Sequence, residues 1–462
     1  MSIRRHTAGA VISIPAALAL PAFAQQQPQP NSATTAPNVS IASQTQTQIQ
    51  SQNQTRPLTL AEVLVAARDN ADVRFSRQTL AAARADILAA DHAPSPILSA
   101  KAASIDLQNG IGAGNLANKR IDNSIGIDWV WERGGKRRAR TLSAERTAAA
   151  AEADVDEATY QQQLAAGNAF YDLLGAQERI VEVASIERGA AQLSGTATRR
   201  VQAGDLPQQE ASRTAVEAQR SGVELRAAEL DRDRAQIALA QLLGATMPVR
   251  GRIAGNDWPT LAPLPAPGSG STSMTDAYGT YDSDAIVDAR PDVRAAQARV
   301  AAMSAALDNA RALRSSDVTW GVSLERYPGT SNRLVELRAS IPLQIGYRAE
   351  GEIGRAEAMY VQSQDALDKT RNDARLELKR LRADADANAR RLQTFERDIL
   401  GGARQLAESA EFAYRRGAMS LTDVLDARRT LRATQLDAIS ARIDHAKAAL
   451  AWRLRTQPLT AQ

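Results

Sequence analysis

Tyr414-Arg-Arg-Gly-Ala-Met-Ser-Leu-Thr-Asp-Val-Leu-Asp-Ala-Arg-Arg429 joins two long helix-forming runs. Gly417 is placed to end the first run, because glycine enters the left-handed region without the clash a Cβ brings. Met419 follows it. Ser420 or Thr422 is then suited to cap the second run, with Asp423 in the first turn, where the helix dipole favours an anion. The stretch reads as the tip of a helical hairpin. Asp423 and Asp426 lie three apart on one face of the descending helix. By spacing alone that face is either ordinary solvated surface, with Asp426 paired to Arg429 or Thr430, or a working part.

Outward from this tip the chain repeats itself. A proline-free run opens at Gly346 and reaches Gly417; another runs from Gly135 to Ala203. A continuous helix over the latter would be about 100 Å long at a rise of about 1.5 Å per residue. It ends at Ala203-Gly-Asp-Leu-Pro207, where Gly204 is the counterpart of Gly417. Upstream, Asn70-Ala-Asp-Val-Arg74 returns as Arg290-Pro-Asp-Val-Arg294. Before each long run lie two segments of strand character. Residues 97–108 alternate weakly. Residues 124–132 alternate clearly, with Ile125, Ile127, Trp129 and Trp131 opposite Gly126, Asp128, Val130 and Glu132. In the second half, 317–325 place Val318, Trp320, Val322 and Leu324 on one face, and 333–343 do the same with Val335, Leu337, Ala339, Ile341 and Leu343. Loops at 109–123 and Tyr327–Ser331 make each pair a hairpin. Each half is therefore helix, β-hairpin, very long helix, tip, helix, an internal duplication. The tryptophans suit a membrane-interface girdle as well as a soluble hairpin with one buried face. Four strands are too few to close without an edge in lipid, whereas three chains would supply twelve.

The remaining signals bound the function. Among 462 residues, 56 Lys and Arg stand against 52 Asp and Glu, and a net charge of +4 is no argument for nucleic acid. The absence of cysteine excludes disulfides, thiolate metal sites and cysteine nucleophiles. Residues 1–24 read as a cleavable signal peptide: Arg4 and Arg5, a short apolar core, then Ala22-Phe23-Ala24. Residues 25–56 are a Gln/Ser/Thr-rich disordered linker. The first repeat is expected over 57–246, an irregular connector over 247–288, the second repeat over 289–457 and a short tail over 458–462. Thr59 is a possible cap for the first helix, whose apolar spacing runs through Leu88. His6, His92 and His445 are not spaced as ligands, so no metal site is expected. Gly110-Ile-Gly-Ala-Gly114 lies in a hairpin loop rather than between strand and helix, so it is no phosphate loop. No catalytic constellation is present and no cofactor is expected.

The order of elements, the duplication and three local motifs resemble the TolC family of outer-membrane efflux channels, over roughly residues 57–457. Trp131-Glu-Arg-Gly-Gly-Lys-Arg-Arg138, with Gly135, Lys136 and Arg137 at its centre, is similar to the strand-to-helix junction of the cobalt–zinc–cadmium branch. Ile341-Pro-Leu-Gln-Ile-Gly-Tyr-Arg348, with Pro342, Gly346 and Arg348, looks like its second-repeat equivalent. Tyr414-x-x-Gly417 followed by Thr422-Asp-Val-Leu-Asp426 resembles the second periplasmic tip. The resemblance implies a mainly α fold with four barrel strands per chain. Three chains would form a twelve-stranded transmembrane β-barrel over an α-helical barrel. It implies a homotrimer in outer-membrane lipid, with a periplasmic adaptor at Gly204, Leu206, Gly417, Met419 and Ser420 and an inner-membrane RND-type pump behind it. Asp423 and Asp426 would form a gate or selectivity ring, and Tyr414 with Glu210 a latch. Glu210 stands where the family has aspartate, and Met419 where some members have arginine. The cargo would be heavy-metal cations; drugs or secreted polypeptide are the alternatives, and a soluble periplasmic coiled-coil adaptor is the reading from another class.

Overall fold

The computed structural model describes residues 57–105, 121–244, 256–261, 283–328 and 331–456. The expected signal peptide, the linker, the tail after 457, and most of the connector and of the first hairpin loop lie outside the described residues.

Helix α1 (Leu60–Ala66) opens on a capping box: the Glu62 N–H donates to Thr59 Oγ1 and the Thr59 N–H to the Glu62 carboxylate. The apolar spacing to Leu88 predicts one helix, but the chain breaks. A 3-10 turn, Ala67–Asp69, leads to Asn70, whose extended backbone and side-chain oxygen cap α2 (Ala71–Ala90). The Asn70 amide also donates to the Leu242 carbonyl, so the break is fastened to the end of the first repeat. The same joint recurs in the second repeat. There α5 (Ser283–Ala289) precedes α6 (Pro291–Ala312), and Arg290 occupies the position of Asn70.

The four strands are β1 (Ile97–Ala103), β2 (Asp122–Trp131), β3 (Val318–Tyr327) and β4 (Ser331–Ser340). They form one antiparallel sheet in the order β1-β2-β3-β4. The two hairpins therefore meet edge to edge rather than face to face, with Ile125 opposite Leu324, Ile127 opposite Val322 and Trp129 opposite Trp320. Ile125, Ile127, Trp129, Trp131, Trp320, Leu324, Val335 and Leu337 are all exposed on one face. A soluble hairpin would bury that face. The other face is polar: Arg338 reaches Asp128 at 2.6 Å across the intervening strand. Gly321 sits between them, and a Cβ there would lie 2.2 Å from Asp128 Oδ1. The second hairpin is longer in its strands than expected, since β3 reaches Tyr327 and β4 starts at Ser331. At the other end β4 stops at Ser340, short of the expected 343. Pro342 has no N–H for a ladder, and its carbonyl instead accepts from Ser316 Oγ at 2.7 Å.

Helix α3 (Lys136–Gln202) runs unbroken for 67 residues from Gly135, which holds φ 74° as its N-cap. Helix α4 (Gln208–Leu243) returns from the first tip. In the second repeat the helix starts later than the expected Gly346. Gly346 (φ 85°) belongs to the connection, and α7 (Glu350–Thr394) opens after Ala349. A five-residue π-helical turn, Phe395–Ile399, links α7 to α8 (Leu400–Arg415), followed by α9 (Leu421–Thr456). None of the described helices is long and apolar enough to cross a membrane.

The largest core is where α1, the middle of α3 and the far ends of α4 and α9 meet: Leu58, Val63, Phe170, Leu173, Leu239, Leu243 and Leu450. The described piece of the connector docks there, with Asp257 accepting the Leu60 N–H at 2.8 Å and Trp258 stacked on Tyr171. A second core joins Val287, Val293, Leu378, Leu381 and Trp452. Between the repeats, α9 and α3 run antiparallel as a ladder of cation and anion. Arg455 meets Glu157 (2.7 Å), Lys447 meets Asp172 (2.6 Å) and Arg442 meets Glu178 (3.1 Å). Arg428 donates to the Gly189 carbonyl at 3.1 Å as the last rung.

His445 lies in this packing at 3 % exposure, with Nδ1 lacking a hydrogen-bond partner. Burial pushes its pKa below the ordinary 6.5, outweighing the attraction of Glu396. The unfolded chain takes up a proton near that ordinary value while the folded chain resists it. The stabilisation is thus complete above about pH 6.5 and declines as pH falls from there toward the lower, folded value. Urea titrations from pH 7.5 to 5.5 should show this slope in the wild type and its loss in His445→Gln.

Candidate functional site

The two tips are built alike. At the second, α8 ends with the Gly417 N–H donating to the Tyr414 carbonyl (3.0 Å) and the Ala418 N–H to the Ala413 carbonyl (2.9 Å). At the first, the Gly204 N–H donates to Val201 (3.0 Å) and the Asp205 N–H to Arg200 (2.8 Å). Both glycines have positive φ, 76° and 83°. A Cβ at either would meet no atom within 4 Å, so a substitution there tests backbone conformation alone. Gly417→Ala and Gly204→Ala should each cost about 1 kcal/mol, read as a lower denaturation midpoint, and alanine at the solvent-facing Gly195 should not. Leu206 is half-buried and Met419 is exposed at the turn surface.

Ser420, not Thr422, caps α9: its Oγ accepts the Asp423 N–H (3.3 Å) and donates to Asp423 Oδ2 (2.8 Å). Asp423 and Asp426 are both exposed, on the side of α9 away from buried Leu421, Val424 and Ala427. Asp426 takes a 3.4 Å contact from Arg429, while the Thr430 hydroxyl goes to its backbone carbonyl. So the two carboxylates share an open face and their local partners leave lone pairs free.

The two residues expected to form a latch do not meet within the chain. No hydrogen bond joins Tyr414 to Glu210 among the described residues. Tyr414 packs on Ala410, Val424 and Ala427, and the Arg200 guanidinium of the first repeat lies 5.5 Å from its ring centroid. Glu210 is one turn into α4, on a helix held to α9 by other groups. Arg429 reaches Glu217 at 3.5 Å and Arg432 pairs with Glu224. Arg428 holds Glu411 at 2.7 Å and the Gly189 carbonyl together. These three arginines close a cavity of about 40 Å³ with Leu193, Thr214, Ser221 and Leu425. Sequence reading paired Asp426 with Arg429, a contact that is present, and missed Glu217, Glu224 and Arg432. The signal was there: Glu217 and Glu224 are seven apart on one face of α4, and Arg428 and Arg432 four apart on one face of α9. Arg415 and Arg416 stay local, Arg415 on the Glu411 carbonyl and Arg416 over the Phe412 ring.

The strand-to-helix junctions come together at the opposite end of the long helices. Lys136, buried, donates to Asp317 at 2.8 Å, and the Arg133 N–H reaches the same oxygen at 3.0 Å. Burial would raise the Asp317 pKa, but the Lys136 and Arg133 hydrogen bonds hold it below the ordinary carboxylate value. Arg137 pairs with Asp91 at 3.0 Å. Arg140 binds Glu132 and the Ala90 and His92 carbonyls. In the second repeat the Arg348 N–H donates to Glu350, and Gln344 donates to the Leu313 carbonyl at 2.7 Å, which seats the Pro342–Gly346 connection on the first junction. Among the described residues no group of His, Asp or Glu could hold a metal ion.

Comparison with known proteins fits this geometry. Residues 283–454 match the family model "Outer membrane efflux protein". The chain carries an outer membrane efflux protein domain. The efflux domain begins at α5 and takes in α6, the second hairpin, the second tip and most of α9. The chain is 27% identical over 300 residues to the cobalt-zinc-cadmium resistance protein CzcC of Cupriavidus metallidurans, covering 65% of this chain and 68% of that one. Its fold is similar to that of CusC (TM-score 0.71, 17% identity, 86% of this chain and 91% of that one). It is likewise similar to the outer membrane protein VceC of Vibrio cholerae (TM-score 0.67, 19% identity, 86% and 95%) and to the CmeC outer membrane channel of Campylobacter jejuni (TM-score 0.70, 14% identity, 86% and 85%). The efflux domain and its first-repeat counterpart thus share the architecture of these channels, with four strands contributed per chain.

Proposed function

We propose that three copies of this chain close a twelve-stranded barrel in the outer membrane above a helical duct. Solute enters at the tips from an inner-membrane RND-type pump through a periplasmic adaptor, and the chain itself is a passive gated conduit rather than an enzyme. The observation that carries this reading is the sheet. Its apolar face is exposed, its opposite face is polar, and both outer edges, β1 and β4, are unpaired among the described residues. Lipid satisfies the first, a water-filled lumen the second, and pairing β1 with β4 of the next copy the third. A soluble coiled-coil adaptor would have no use for such a sheet.

Heavy-metal cations are the cargo best supported, by the likeness to CzcC and by the open carboxylates of Asp423 and Asp426. Brought together in three copies, these would make a negative mouth that concentrates cations without binding them tightly. In planar bilayers, Asp423→Asn with Asp426→Asn should reduce divalent-cation block of the channel by about tenfold, the scale of losing about 1.4 kcal/mol of attraction. Unchanged block would return both residues to plain surface. Deletion of the gene should sensitise cells to cobalt, zinc or cadmium; sensitivity to drugs alone would move the cargo to the alternative.

A further inference from the structure

The junction belt holds more cation than its own carboxylates use. Asp91 is taken by Arg137, Glu132 by Arg140 and Asp317 by Lys136. Glu352 accepts from the Tyr347 hydroxyl and Glu350 from the Arg348 N–H. Arg133, Arg138, Arg314 and Arg348 are exposed, and their guanidinium groups make no hydrogen bond or ion pair among the described residues. Arg133 and Arg138 lie in the first junction, Arg314 directly after α6 and Arg348 in the second-repeat connection. Gly134 packs against Ser315 and the Ala312 carbonyl, and Gln344 bonds Leu313, which brings the second-repeat connection to the first junction. Beside them the exposed apolar surface continues past the strands, through Trp131, Ile341, Leu343, Ile345 and Tyr347. Leu343 and Ile345 are 78% and 86% exposed on a segment that is not strand, so the sheet ladder does not account for their being apolar.

An apolar band that ends in a row of unpaired guanidinium groups is shaped for one kind of partner. The side chains of the band lie among acyl chains, and the arginines reach the phosphates at the level of the headgroups. We infer that Arg133, Arg138, Arg314 and Arg348 form a rim that binds the headgroups of anionic glycerophospholipid in the periplasm-facing leaflet. Zwitterionic lipid fits less well, because its ammonium group offsets the phosphate charge. The inference rests on the outer-membrane channel reading above.

The full-length protein, inserted into vesicles of phosphatidylethanolamine and phosphatidylglycerol and then extracted in mild detergent, tests it by the lipid that stays bound. Wild type should hold phosphatidylglycerol over phosphatidylethanolamine by about fivefold or more, the scale of one basic group at an anionic surface. Replacing the four arginines by glutamine should remove the preference, and replacing them by lysine should keep most of it. Equal retention of both lipids by the wild type, or a preference unchanged in the glutamine variant, overturns the rim. So does release of the lipid by inorganic phosphate alone, which would mean a simple anion site. If the glutamine variant does not insert, preference in wild type that survives high salt unchanged counts against the rim, and preference that salt abolishes supports it. A wild-type chain that enters no vesicle overturns the channel reading itself, a result distinct from insertion without lipid preference.

Discussion

Arg290→Ala is expected to destabilise the chain by about 3–5 kcal/mol, the cost of stripping one partner from a buried ion pair. Arg290 is 3% exposed and stands at the N-cap position of α6. Its guanidinium binds Asp292 at 2.7 Å, Glu377 at 2.5 Å and the Ala374 carbonyl at 3.3 Å. It thus ties the start of α6 to the middle of α7. Without it Asp292 loses its hydrogen-bonded partner and Glu377 keeps only the 3.6 Å contact from Arg455, a guanidinium already shared with Glu157 and the face of Tyr160. Arg290→Lys should recover only part of the loss, because an ammonium cannot span three acceptors in fork geometry. The pH dependence gives an independent reading. Burial alone would raise the Asp292 pKa, and the Arg290 hydrogen bond and charge instead hold it below the ordinary 3.8. In the wild type this stabilisation is present above that value and is lost as pH falls through the lower, folded pKa. In the alanine variant Asp292 is left without its hydrogen-bonded cation, so acid protonates it more readily. The gap between the two proteins in urea midpoint should therefore narrow toward pH 4.

Reversing charge at the tip should open the duct. Arg428→Glu with Arg432→Glu is expected to raise single-channel conductance in planar bilayers severalfold while leaving the chain folded. Each of these half-exposed pairs is worth about 0.2–1 kcal/mol. Repulsion against Glu411 and Glu224 adds to the loss, and a total of about 2–3 kcal/mol shifts a closed-to-open equilibrium by about 30-fold to about 150-fold. Arg415→Gln is the control, since Arg415 contacts only its own helix. Conductance unchanged by the double reversal would show that the contacts of α9 with α4, through Arg432, and with α8 and α3, through Arg428, do not hold the duct closed.

Much of the architecture could be read from the residues, and the places where reading stopped have physical causes. Gly204 and Gly417 announced the tips because a positive φ leaves few alternatives to glycine. The duplication was visible at Asn70–Arg74 and Arg290–Arg294, yet its meaning was not: both mark the joint between a short helix and a longer one. Apolar spacing carries across such a joint with little change of phase, so Leu60 to Leu88 looked continuous. The alternation in β2 and β3 predicted their faces, but not that they pair with each other, since pairing across nearly 200 residues leaves no local mark. The π-turn at Phe395–Ile399 also left none that periodicity registers. At the site, Asp423 and Ser420 were legible as first-turn and cap residues. The Arg428–Glu411 and Arg432–Glu224 contacts were not, because any surface arginine on a long helix has several carboxylates within reach, and only packing selects among them.

The α9–α3 ladder is not equally strong along its length. Arg455, at one end, is 4% exposed in its side chain; Lys447, Arg442 and Arg428 are each roughly a third exposed. Salt shortens the reach of exposed charges from about 10 Å at 0.1 M to about 3 Å at 1 M, and affects buried pairs far less. The ladder is therefore most sensitive to salt in its middle, at Lys447 and Arg442, and least at its two ends, where Arg455 is buried and Arg428 binds a neutral carbonyl. Rising ionic strength would slacken the tube at its waist while both fastenings hold.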